Sequence, residues 1–539
     1  MTDWTAGYVA DIGYTFGYYT ELNPARSRLA FLNAGLVPPE TGTHCELGFG
    51  QGLSVNIHAA ASGTTWHATD FNPAQAGFAQ SLARASGAGA HLFDEAFADF
   101  CRRPDLPDFD SIGLHGIWSW ISDENRAVIV DFVRRKLKVG GALYISYNTQ
   151  PGWAAMVPMR DLLTEHAATL GTEGHGIVNR IDAALAFADK LLATNPTYAR
   201  ANPQVAERLK KLKDQNRNYL AHEYFNRDWL PMPLSRMAEW LAPAKLDYAC
   251  SAHYFDHIDA LNLTAEQQQL IKEIPDAMFR QTVRDFCVNQ QFRRDYWVRG
   301  ARKLNALEQA EALRAQRVTL VQPRVDVSLK VAGSLGEATM QEAVYGPILD
   351  ALADHQPRTL GEVEKAVAGQ ANFAQVMQAA MVLAGSGTLL AVQDDAVTAQ
   401  AKPQTDRLNA CLIDKARGCG DVSYLASPVT GSGILAGRIQ QLFLLARSQG
   451  QSAPEEWAAF AWQLLSAQGQ QLLKEGKTLT TPEENLAELT AQAGEFAEKR
   501  LPILEANTRR VYCRLLGYRG DPHRAAGERL LWRAAEELV

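Results

Sequence analysis

Residues 44–52 read His-Cys-Glu-Leu-Gly-Phe-Gly-Gln-Gly, which places Glu46, Gly48, Gly50 and Gly52 in an E-x-G-x-G-x-G run. A helix-like segment, SVNIHAAA, follows, and the next apolar stretch, TTWHATD, ends on Asp70. These residue types at this spacing suit the holding of a nucleotide-type ligand. A strand that stops at glycines lets backbone come close to the ligand. A helix then begins, and a second strand ends in an acid suited to ribose hydroxyls. A glycine run alone is weak support. Glu46 before it and Asp70-Phe71-Asn72 after the second strand strengthen it. The competing role for Asp70 is a helix cap ahead of Pro73.

Such a ligand needs strands that end together on one side of a sheet. The chain supplies them in alternation with helices. THCELGF, TWHATD, AHLFDEAF, FDSIGLHG (109–116) and ALYISYN read as strands. LSVNIHAAAS, PAQAGFAQSLARAS and DENRAVIVDFVRRKL (123–137) read as helices, and Lys138-Val139-Gly140-Gly141 reads as a tight turn into the fifth strand. Strands separated by helices imply a parallel sheet with right-handed crossovers. The loops at its carboxyl ends then converge on one crevice. Those loops carry Gly48–Gly52, Asp70-Phe71-Asn72, Ala96-Phe97, His115 and Tyr147-Asn148. Ahead of the sheet lie Trp4, Tyr8, Tyr14, Phe16, Tyr18 and Tyr19, a strap packed on the domain or a lid over the crevice. A helix over 21–36 follows, with Asn23 as cap and Pro24 at its first position.

The Glu46 and Gly48-x-Gly50-x-Gly52 spacing, with Val139-Gly140-Gly141 before the fifth strand, resembles the class I S-adenosylmethionine-dependent methyltransferases. HGIWSWIS (115–122), YNTQPGW (147–153), HEYFN (222–226), FRRD (292–295) and LASPVTGSG (425–433) narrow this. They resemble the members that carry a methyltransferase regulatory domain, among them rickettsial protein-lysine methyltransferases that modify an outer-membrane protein. The resemblance implies an α/β Rossmann-like domain over 1–165, followed by mostly helical accessory domains. These are a helical insert at 166–220, through which a homodimer would form, and a regulatory middle domain at 221–320. A winged-helix-like domain at 321–400 and a C-terminal helical domain at 401–539 complete the chain.

The implied donor is S-adenosylmethionine. Glu46, Gly48, Gly50, Gly52, Asp70, Phe71, Asn72, Ala96, Phe97 and His115 are the expected donor contacts, with Phe71 and Phe97 flanking adenine. His115 is either a proton acceptor on the acceptor side or a structural donor to the ligand's carboxylate. Tyr14, Tyr18, Trp118, Trp120 and Tyr147 are candidates for an aromatic wall that attracts a cationic acceptor beside the sulfonium; plain core packing is the alternative for at least one Trp. The expected function is methylation of a protein lysine. Methylation of a small molecule or surface glycan, and a non-catalytic binding scaffold, are the alternatives.

Composition limits the rest. With 539 residues the chain is too long for one core, and 47% hydrophobic with 21% charged residues is ordinary for a globular protein. A net charge of −7 argues against broad nucleic-acid or anionic-membrane binding. The cysteines at 45, 101, 250, 287, 411, 419 and 513 form no C-x-x-C pair, so neither a disulfide framework nor a zinc site is expected. No basic start followed by an apolar run marks a signal peptide and no stretch is long enough for a membrane span, so a cytoplasmic location is expected. His222, Glu223, His253, Asp256 and His257 lack metal-ligand spacing on a helix, and no metal is expected. Glu223 is expected to pair with Arg293 or to face the acceptor. Asn372–Ala384, the recognition helix of the expected winged helix, holds no Lys or Arg, which favours protein contact over DNA. Gly431-Ser432-Gly433 is expected to be a turn rather than an anion site.

Overall fold

The computed structural model describes residues 5, 7–9, 12–171 and 176–508. Trp4, Cys513, the basic tail and most of the 171–176 glycine break lie outside the described residues. After the aromatic strap comes helix α1 (Pro24–Asn33), whose Asn23 side chain accepts a hydrogen bond from the Arg26 N–H at 2.9 Å.

The alternation read from the sequence builds one sheet. Its first strands are β1 (Thr43–Leu47), β2 (Thr65–Asp70), β3 (Ala90–Asp94), β4 (Phe109–Leu114) and β5 (Leu137–Asn148). Between them run α2 (Leu53–Ser62), α3 (Pro73–Ser86), the single turn α4 (Phe97–Phe100) and α5 (Asp123–Lys136). Two later strands, β6 (Leu246–Ser251) and β7 (Phe292–Arg299), complete it. The seven strands lie in the order β3-β2-β1-β4-β5-β7-β6. β1 to β5 are parallel, and β7 runs antiparallel to both β5 and β6. This is the Rossmann-like sheet expected from the alternation of strands and helices. It is not confined to residues 1–165, because its last two strands come from the 221–320 block.

Two local expectations are corrected. The turn at Lys138–Gly141 is a bulge inside β5. Phe109 pairs with Leu137 and Ser111 with Ala142, so residues 138–141 loop out opposite Asp110. The sequence of RDFCVNQQFRRDYWVRG predicts one helix through the whole segment; that helix ends at Val288, where Asn289 adopts a left-handed φ of 50°, and FRRDYWVR becomes β7. The charges of FRRD disguise a strand buried in the sheet. Arg293 donates to Asp285 at 2.5 Å and Asp295 at 2.9 Å, so it enters the interior already paired. It does not pair with Glu223.

All ten residues of α2 are buried. A helix with no solvent face must be covered on both sides, and small or apolar residues such as Ala59, Ala60 and Ala61 permit that. The sheet covers one side. The helix Asp395–Lys415 covers the other, with Leu408 and Leu412 packed against Leu53 and Ile57. Thr405 Oγ1 donates to the Ala60 carbonyl, and Arg407 Nε to that of Ser86. The C-terminal region is thereby fastened to the back of the sheet. Residues 317–391 form three helices on a three-stranded antiparallel sheet whose central strand, Arg317–Leu320, precedes the helices. Its helix Phe373–Gly385 buries most of its side chains, leaving little of it to read a groove. Gly431 is a turn glycine (φ 63°) between the strands Tyr424–Ser427 and Ser432–Leu435. Among the described residues, no helix is long and apolar enough to cross a membrane.

Candidate functional site

The glycine turn follows β1. Gly48 N–H donates to the Thr69 carbonyl at 2.8 Å, which holds the turn against the end of β2. Gly52, with φ 68°, caps α2, and a Cβ there would lie 2.4 Å from Ala79 Cβ on α3. Only glycine both turns left-handed and lets the two helices approach this closely.

Asp70 at the end of β2 ties the two loops together. One of its carboxylate oxygens accepts from Gly50 N–H at 2.8 Å, the other from Asn72 N–H at 3.0 Å. A carboxylate has about four lone-pair sites, so each oxygen keeps capacity for a ribose hydroxyl. Burial pushes the carboxyl up to about 6, against the pull of those two N–H groups. The helix cap before Pro73 is Asn72, whose side chain accepts from Ala74 and Gln75 N–H. Asp70 is therefore free of the capping role.

A cavity of about 1210 Å³, counting its open mouth, spans the carboxyl ends of β1, β2, β3 and β4. Gly48, Gly50, Asp70, Phe71, Asn72, Ala96, Phe97, His115 and Tyr14 all line it. Glu46 and Gly52 lie behind its wall. Glu46 is 1% exposed, and its Oε2 finds no hydrogen-bond partner. Burial, with the Asp70 charge nearby, pushes its carboxyl up to about 8. A buried acceptor left unpaired is costly, and it stands at the root of the turn a nucleotide-type ligand would sit on.

His115, just past β4, stacks on Tyr19 with ring centres 3.6 Å apart, and its Nδ1 lies 2.7 Å from the Tyr144 hydroxyl. Burial holds it down to about 4, so the imidazole is neutral near pH 7. A neutral ring donates at one nitrogen and accepts at the other.

The expected aromatic wall divides. Tyr14 and Trp120 reach the cavity; Tyr18, Trp118 and Tyr147 do not. Tyr18 faces the C-terminal region, where its hydroxyl accepts from Gly433 N–H at 2.7 Å and its ring meets Tyr424. Trp118 is 0% exposed, packed edge-on to Trp240 with Nε1 donating to Met232 Sδ. Tyr147 is equally buried and donates its hydroxyl to Asp295 at 2.8 Å. Beside Tyr14 and Trp120 the cavity presents Tyr8 and Tyr19. The cause is local. In the extended strap, neighbours such as Tyr18 and Tyr19 point to opposite sides. The turn Trp118–Trp120 likewise sends one Trp inward and the other to the cavity. The sequence signal for Tyr8 and Tyr19 was their aromatic type; nothing in it gave their direction.

Two further clusters read from the sequence serve structure. His257 Nε2 lies 2.8 Å from the Ser251 carbonyl, and His253 Nδ1 lies 3.1 Å from Arg294. Among the described residues, no group of three or more His, Cys, Asp or Glu side chains converges as a metal site would.

Comparison with known proteins fits this geometry. A family model described as a predicted methyltransferase regulatory domain matches residues 216–299, the segment that supplies β6 and β7. An uncharacterized protein of Synechocystis is 41% identical over 93% of this chain and 98% of its own length. An uncharacterized protein of Rickettsia prowazekii is 31% identical over 22% of this chain and 45% of its own. Among solved structures, PKMT2 from Rickettsia typhi in complex with AdoHcy superposes with a TM-score of 0.66 at 17% identity, covering 92% of this chain and all of that one. The fold is therefore shared across nearly the whole length. The chain belongs to one family with the Synechocystis protein, carries a predicted methyltransferase regulatory domain over 216–299, and has the fold of PKMT2.

Proposed function

We propose that this protein is a methyltransferase that transfers its donor's methyl group to lysine side chains of a protein. The observation that carries the reading is the ring-lined half of the cavity. Tyr8, Tyr14, Tyr19 and Trp120 line the same open space as Gly48, Gly50 and Asp70. Aromatic faces attract ammonium and sulfonium groups, and such a wall suits a lysine side chain entering beside a positive donor. The resemblance to rickettsial protein-lysine methyltransferases points the same way and makes a bacterial outer-membrane protein the first acceptor to try.

S-adenosylmethionine supplies an electrophilic methyl on a sulfonium. The protein's part is to orient donor and acceptor and to exclude water. In this reading Asp70 holds the ribose hydroxyls, Phe71 and Phe97 flank adenine, and Asn72 and Ala96 shape the loops around them. Gly48, Gly50 and Gly52 let the turn approach the amino-acid portion, above Glu46. Neutral His115 orients the donor or the acceptor through hydrogen bonds. We assign 1–165 to the catalytic domain and the blocks 166–220, 221–320, 321–400 and 401–539 to presenting the acceptor. Self-association through the helical insert and a cytoplasmic location belong to the same proposal.

The test is transfer of labelled methyl groups to fractionated bacterial envelope proteins, followed by mass spectrometry of the labelled residues. Methylated lysine is expected. Label confined to small molecules or glycan would overturn the protein-lysine reading.

A further inference from the structure

The helix Arg217–Tyr224 packs behind the rings that line the cavity. His222 packs its ring against Tyr8 and Tyr14, with centres 5.3 and 5.0 Å apart. The next residue, Glu223, is fixed by Trp120, whose Nε1–H donates to the Glu223 carbonyl at 3.2 Å. Burial raises the pKa of the Tyr8, Tyr14, Tyr19 and Tyr219 hydroxyls, and the Glu223 charge is near enough to raise each further. Three of those tyrosines line the donor cavity. The fourth, Tyr219, lines a second open cavity with Gly152, Arg208 and Gln291. The helix that carries Glu223 thus runs between the two spaces.

Among the described residues, the Glu223 carboxylate makes no hydrogen bond or ion pair. A desolvated carboxylate without a cation is costly, and this one lies on the helix behind the cavity's rings. Burial alone pushes this carboxyl up to about 8. Such an acid ionises readily once a cation arrives and exchanges a proton near neutral pH.

We propose that Glu223 is the catalytic residue that receives the ammonium group of the acceptor and takes its proton. The inference rests on the lysine reading only in requiring a cationic amine as acceptor. One N–H bond of the ammonium breaks, its electron pair stays on nitrogen, and the proton goes to a Glu223 carboxylate oxygen. The freed lone pair forms the N–C bond to the donor methyl while the C–S bond breaks with its pair on sulfur. The carboxyl then gives its proton to water from the second cavity. A positive sulfonium beside the ammonium repels it and favours the first step. The tyrosine faces hold the cation in place.

The test uses the full chain loaded with S-adenosylhomocysteine and two probes of equal size, n-butylammonium and 1-butanol, with binding read by calorimetry. Wild type should prefer the ammonium by about tenfold or more, the scale of one charged hydrogen bond. Glu223→Gln should lose that preference while binding S-adenosylhomocysteine as wild type does. Equal preference in wild type and variant, or none in wild type, overturns the proposal. If Glu223→Gln fails to bind S-adenosylhomocysteine, Glu223→Asp, which withdraws the charge by one carbon, is read instead; an undiminished preference there also overturns it. Methylation of poly-L-lysine separates the two claims. Equal labelling by wild type and Glu223→Gln removes Glu223 and leaves the lysine reading. A Glu223-dependent ammonium preference without labelling removes lysine and keeps Glu223.

Discussion

The two sides of the cavity are built by different means. The side assigned to the donor comes from the loops after β1, β2 and β3, and its working parts are backbone N–H groups and the Asp70 carboxylate. The side assigned to the acceptor gathers rings from the strap and from the turn after β4, backed by His222 of the helix Arg217–Tyr224, far apart in the chain. The first depends on local backbone geometry, which glycines and strand ends dictate. The second depends on which way individual side chains point after the whole chain has packed.

The largest effects should break or confirm this division at the two tryptophans. Trp118→Ala empties a core site, and a loss of about 4 kcal/mol of stability is expected, read by denaturant unfolding. Trp120→Ala should leave most of that stability and slow methyl transfer instead; the reverse pattern would erase the distinction drawn between them. On the donor side, Asp70→Ala removes a carboxylate that accepts from two hydroxyls. S-adenosylhomocysteine should bind more weakly by about 3 kcal/mol, over a hundredfold, in a titration calorimeter. Gly52→Ala tests the backbone part of that side. The clash with Ala79 and the left-handed φ should cost about 2 kcal/mol and lower the unfolding temperature.

Smaller effects sharpen the picture. The Asp70 carboxyl sits near 6 in the free protein, above its usual range. Ribose hydroxyls need the ionised form as acceptor. Below pH 6 a proton must leave on binding, so affinity should fall toward a limit of about tenfold per pH unit, and Asp70→Asn should flatten the profile. Tyr18→Phe leaves Gly433 N–H without its partner and should cost about 1 kcal/mol. Because that contact joins the strap to the C-terminal region and not to the cavity, S-adenosylhomocysteine affinity should stay as in wild type.

The same contrast explains what could be read from the sequence. The parallel strands, the crossover helices and the carboxyl-end loops follow from period and punctuation, and Gly48, Gly50, Asp70, Asn72, Ala96 and Phe97 come with them. β7 did not, because FRRDYWVR carries charges whose partners, Asp285 among them, lie elsewhere in the chain. Tyr18 and Tyr19 are the same residue type at adjacent positions, yet one meets Tyr424 and the other stacks on His115. No local signal distinguishes them. The seating of Glu223 likewise depends on Trp120 and the strap, two pieces no spacing rule connects to it.

A crystal structure with S-adenosylhomocysteine tests the central claim most directly. The account predicts ribose hydroxyls on Asp70, adenine beside Phe71 and Phe97, and the sulfur open toward Tyr14, Tyr19 and Glu223. A ligand whose ribose makes no contact with Asp70, or whose sulfur faces away from the tyrosines, would contradict the division of the cavity into donor and acceptor sides.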